Sequence, residues 1–273
     1  MGNAAGLAQA GGRIDYFSGT PRADAIDRWI YVAMAGGLLA ITLAGFVPDS
    51  FKMVAAVKDG THPPMTTVLH LHAVLMGSFL LLLLAQTWLA ATGRIKGHMQ
   101  LGLTALVLVP ALVIVGTMLA AESYRQVAEV AASAAPDLRA AAEATVLRKE
   151  NILLSQLRAG LLFPLFVGLA MLARHSDPGF HKRMMILGTA SVMGAAIARV
   201  PGLPTSAPHS PISTELYILL LAAPMFARDL LRNGYVHRAY WVWLAIILPT
   251  QITMLVLWDT PWWHSVARAV LSA

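Results

Sequence analysis

The chain has 273 residues, 57% of them hydrophobic and only 12% charged, about half the charged share of an ordinary soluble domain. Its net charge of +6 is gathered in short basic clusters beside apolar runs, a pattern of membrane topology rather than of nucleic-acid binding. The absence of cysteine excludes disulfides, iron–sulfur clusters, cysteine-ligated zinc and thiolate-bound haem, leaving histidine, methionine and carboxylates as side-chain metal ligands.

In chain order, residues 1–28 are polar and rich in Gly and Ala, and read as a cytoplasmic segment. They lack the apolar core of a signal peptide, and Gly6 stands where a myristoylation signal needs Ser or Thr. Apolar runs follow at 29–47, 66–91, 99–121, 151–172, 184–200, 212–227 and 240–258. A helix needs about 20 such residues to cross a bilayer, so the fifth and sixth runs are short. These runs predict an all-α, polytopic bundle of about seven transmembrane helices spanning 29–258.

The connections orient it. Arg94 and Lys96, then Arg174, Lys182 and Arg183, then Arg228, Arg232 and Arg238 fall on one side. The opposite side holds Lys52 and Lys58, no Lys or Arg between Gly202 and Pro211, and Arg268 in the tail. The positive-inside rule therefore predicts a cytoplasmic N-terminus and an external C-terminus.

The longer connection, 122–150, is alanine-rich and reads as helical extensions of the third and fourth spans, meeting near Ala134–Pro136 outside the membrane. In the tail, 259–273, Trp262, Val266 and Val270 have the spacing of a short interfacial helix. Pro110, Pro164, Pro224 and Pro249 should kink four spans, while Gly188, Ala190 and Gly194 should let another helix come close.

Polar groups at membrane depth are the candidates for chemistry. Asn151, Ser155 and Arg158 make one stripe on the fourth span, with Glu215 a structural partner for Arg158. Arg158, Arg199, Glu215, His70 and His72 all fall in the outer half, and as a group they offer a site for an anionic solute. His70 and His72 point to nearly opposite sides of a helix, whereas His72 and Met76 share a face and offer nitrogen and sulfur to copper or haem iron. Gln86 continues that stripe. At the inner side His98, His181 and His237 open helices beside basic residues, as interfacial flanks. The alternative is that His98 and His181 bracket a haem, with Arg94 or Arg183 near its propionates.

Several chemistries lack their residues. There is no HxxxH or HxxHH box for a di-iron hydroxylase, no lysine in the seventh span for a retinal Schiff base, no Gly-rich nucleotide loop and no GxSxG elbow.

His70-Leu-His72, Gln86, Gly93-Arg94 with His98, then His181-Lys-Arg-Met184 and Arg199 resemble a broad group of uncharacterised bacterial multi-pass membrane proteins. The resemblance covers residues 30–200 and implies a membrane fold, drawing attention to His72, His98, His181 and Arg199; it brings no activity with it. The residues support a membrane redox protein handling haem b, copper or a quinone. A transporter for an anionic or lipid-phase solute is the alternative, and an accessory subunit beside other membrane subunits a third. The expected partner in each case is the lipid bilayer, and none involves nucleic acid.

Overall fold

The computed structural model describes residues 25–271, so most of the polar segment 1–28 and the last two residues lie outside the described residues. These fold as ten helices with no strand among them. They are α1 (Ala25–Lys58), α2 (Thr67–Ala91), α3 (Ile95–Gly102), α4 (Ala105–Ala132) and α5 (Arg139–Ala173), followed by α6 (Pro178–Ala190), α7 (Gly194–Ile197), α8 (Ile212–Asn233), α9 (Arg238–Leu257) and α10 (Pro261–Leu271). Five stretches are long and apolar enough to cross a bilayer: α1, α2, the continuous run of α3 and α4, α5 and α9. That number agrees with a multi-pass membrane protein.

The expected fifth and sixth spans look different. The run 184–200 is divided between α6 and the four-residue α7, with a turn at 191–193 between them. Two hydroxyls bend it. Thr189 and Ser191 each donate to the carbonyl four residues back, and such back-bonding loosens a helix. Ser191 also accepts the indole N–H of Trp243 at 2.8 Å, which fixes the bend against α9. Protein covers most of α6: Met184, Ile186, Leu187 and Ala190 are at most 1% exposed. A helix shielded in this way does not need the hydropathy of one that faces lipid. A Cβ on Gly188 would meet the Cβ of Phe166 at 2.6 Å, so α5 and α6 approach here only because the residue is glycine.

The third span also has a joint. α3 ends at Gly102, and the Thr104 hydroxyl donates to the Leu101 carbonyl at 2.7 Å, making a short turn before α4. Beyond their apolar parts α4 and α5 continue to a turn at 133–138. Lys149 Nζ to Ser123 Oγ, at 2.6 Å, ties these extensions together. α10 lies across them with Trp263 and Ala267 buried against Ala120 and Leu153, leaving Trp262 and Val270 exposed. The main core joins α1, α2 and α5–α9 around Leu38, Phe166, Met184, Ile218 and Ile247.

Candidate functional site

Two chain reversals build the site. α2 ends because Gly93 adopts φ 74°, a conformation glycine takes without a Cβ penalty. Arg94 N–H then reaches back to the Leu89 carbonyl, closing a Schellman-type turn that folds α3 against α2. This brings His98 Nδ1 to 3.2 Å from the backbone carbonyl of Gln86. On the other side, Asp177 caps α6 by accepting the Phe180 N–H at 2.9 Å, and Pro178 supplies the fixed φ of a first helical residue. His181 in that first turn places Nδ1 2.9 Å from the Ala170 carbonyl of α5.

The two imidazoles meet. Their ring centres are 6.3 Å apart and their planes cross at 85°. Both Nδ1 atoms are engaged by main-chain carbonyls, which requires Nδ1–H and leaves Nε2 of each neutral ring unprotonated. Neither Nε2 has a protein hydrogen-bond partner among the described residues. Gln86, whose carbonyl engages His98, also has an unsatisfied side-chain amide. Its amide oxygen and nitrogen are both buried without a partner, packed against Gly102, where a Cβ would lie 3.5 Å from the oxygen. An orphaned amide of this kind costs about 1–3 kcal/mol unless something bonds to it.

Arg183, expected as a flank or propionate partner, is elsewhere. It is 1% exposed, with Nε and Nη2 each 2.7 Å from the Asp229 carboxylate and Nη1 on the Gly179 carbonyl. Tyr240 donates to the same carboxylate at 2.6 Å. His98, Arg174 and His175 are the ionisable groups that act on the His181 ring, and Arg94 lies exposed at the start of α3. His237 does open α9, but as a buried cap, its Nδ1 accepting the Ala239 N–H at 3.1 Å.

The outer candidates do not gather into one group. Arg158 and Glu215 form a two-pronged pair at 2.6 and 2.8 Å, with side chains 8% and 6% exposed. Arg199 is 41% exposed and pairs instead with Asp49 at 3.0 Å. His70 is exposed and bonds to its own helix at Thr66. His72 turns away from it toward α4, its Cε1 lying 3.4 Å from where a Gly116 Cβ would stand, and its Nδ1 is buried without a partner. Met76 packs beside the apolar cluster of Phe79, Val109, Leu112 and Phe163.

A second polar network has no counterpart in the expectations. Glu150 is fully buried and receives His264 Nδ1 at 2.7 Å, Arg268 Nε at 2.8 Å and the Tyr124 hydroxyl at 3.3 Å. His264 Nε2 lies 3.2 Å from Asp259, which exchanges two hydrogen bonds with Asn151. Hydrogen bonds from Asn151 and His264 hold the Asp259 carboxyl below its ordinary range. The network fastens α10 to α5. Its one sequence signal is that Glu150 precedes the polar stripe of Asn151, Ser155 and Arg158.

Among the described residues no group of three or more His, Asp or Glu is placed to hold a bare metal ion. No family model, curated protein or solved structure matches the chain.

Proposed function

We propose that this chain is a multi-pass membrane redox protein that holds a haem between His98 and His181. The observation that carries the reading is the 6.3 Å separation of the two rings, with both Nδ1 atoms already engaged. With metal–nitrogen bonds of about 2 Å, imidazoles on opposite sides of one ion have centres roughly 6 Å apart, and tetrahedral neighbours roughly 5 Å. At that spacing His98 and His181 would hold a haem through Nε2, and the haem would supply one-electron chemistry. The carbonyls of Gln86 and Ala170 set the tautomers and make each Nε2 a better donor. Arg174 would provide positive charge for a propionate, and the Gln86 amide has unused donors and an unused acceptor.

In this reading the bundle crosses the bacterial inner membrane seven times, N-terminus inside and C-terminus outside. Polar contacts between distant helices support it, because each joins residues assigned to one side. Asp27 meets Arg228 and Arg232, Arg183 meets Asp229, and Asp177 meets Arg238 on the inner side. Asp49 meets Arg199, Arg158 meets Glu215, and Asn151 meets Asp259 on the outer side. These contacts support a segment from Arg183 to Arg199 that runs from the inner to the outer level. An anion carrier would need Arg158 open to solute, and Glu215 occupies it.

The test is to purify the full chain with haem supplied. The proposal expects a Soret band that His98→Ala or His181→Ala abolishes while the protein still folds. A colourless preparation that takes up no added haem overturns it.

A further inference from the structure

Ser123 and Lys149 face each other across the extensions of α4 and α5, with Lys149 Nζ 2.6 Å from Ser123 Oγ. Both residues are half-buried. The serine hydroxyl is not spent on its own helix. Thr117 and Ser133 on α4, and Thr145 on α5, each donate to the carbonyl four residues back, whereas the partner of Ser123 is the lysine.

Lys149 lacks what ordinarily keeps a lysine charged. Among the described residues no carboxylate pairs with it. Glu150, next in sequence, turns away and is engaged by His264, Arg268 and Tyr124. The charge that does act on Lys149 is another cation, the Arg199 guanidinium. Burial and then Arg199 hold the amine below the usual lysine range. A neutral amine carries a lone pair and can take the serine proton, which an ammonium group cannot.

The level of the pair indicates the substrate class. Ser123 stands two residues after the apolar run 99–121, and Lys149 two residues before the run 151–172. At 1.5 Å per residue each lies about 3 Å along its helix from hydrocarbon, in the interfacial layer that holds the ester groups of membrane lipids.

We infer that Ser123 is a nucleophile, with Lys149 as its general base, acting on an acyl ester at the membrane surface. Ser123 Oγ bonds to the ester carbonyl carbon while its proton passes to Lys149 Nζ. The ester C–O bond then breaks, the alcohol leaves with that proton, and the acyl group stays on Ser123. Water releases it as the acid, its proton passing through Lys149 back to Ser123 Oγ. The dyad is separate from the paired histidines and does not depend on haem.

The full chain in mild detergent is treated with a dodecyl fluorophosphonate, whose phosphorus stands in for the ester carbonyl carbon. Attack by Ser123 Oγ forms an O–P bond and expels fluoride, and peptide mass spectrometry locates the adduct. The native chain should carry it on Ser123, and Ser123→Ala should carry none. Lys149→Arg keeps the positive charge and a donor but cannot take up the proton. Its labelling should be slower by about 100-fold, the usual scale of general-base catalysis. The native rate should rise with pH as the amine loses its proton, levelling off below the ordinary lysine pKa of about 10.4. A native chain that stays unlabelled at Ser123 overturns the inference. Equal labelling of the native chain and folded Lys149→Arg overturns it as well.

Discussion

Arg183 and Asp229 lie 46 residues apart in sequence and share two hydrogen bonds of 2.7 Å in the interior, where Arg183 is 1% exposed. The pair joins the start of α6 to the end of α8, the two helical regions whose charges lower their hydropathy. Removing one partner leaves the other charge buried alone. Asp229→Ala should therefore cost about 3–5 kcal/mol, while replacing both residues with leucine should recover most of it. Denaturation in detergent measures both. A single variant as stable as the parent would mean that the carboxylate contributes nothing.

The two outer arginines should behave differently. Arg158→Leu strands the 6%-exposed Glu215 and should destabilise the protein by several kcal/mol; Glu215→Leu in the same chain should relieve this. Arg199 and Asp49 are about two-fifths exposed, and Arg199→Leu should change stability by no more than about 1 kcal/mol. Thermal unfolding of the three variants decides it. Equal effects at 158 and 199 would contradict the assignment.

The chain lacks cysteine, so single cysteines report topology without background. In sealed vesicles of known orientation, Ser176→Cys should react with an impermeant maleimide from the inner side and Ser210→Cys from the outer. Labelling of both from one side would show that the intervening α6–α7 segment does not cross.

Gln86 offers a test of the ligand site through stability. Its orphaned amide disfavours the haem-free fold, so Gln86→Leu should raise the melting temperature of haem-free protein and weaken haem retention. A lower melting temperature would show that the amide is already satisfied without ligand.

Much of this arrangement is written in local sequence. Gly93-Arg94 and Asp177-Pro178 specify the two reversals, and with them the approach of His98 to His181. Four hydrophobic runs, at 29–47, 66–91, 151–172 and 240–258, fall within long single helices and their capping residues. What stays hidden depends on partners across the bundle. Arg183 looks like one more basic flank in His-Lys-Arg until Asp229 arrives from α8, and Glu150 looks like a loop charge until α10 folds over it. The run 184–200 conceals its bend because Thr189 and Ser191 act on the backbone rather than on hydropathy. Arg199 and Arg158 share a level in a linear reading, but only packing tells which carboxylate each one meets.

The ring planes give the most direct test of the haem assignment. With a haem iron held by both rings, planes crossed at 85° would donate to both iron dπ orbitals alike and leave those orbitals nearly degenerate. Low-temperature electron paramagnetic resonance of the oxidised, haem-loaded protein should show a highly anisotropic low-spin signal with one large g component, lost in His98→Ala and in His181→Ala. A low-spin signal that survives both substitutions, or the rhombic signal of parallel rings, would contradict axial ligation by this pair.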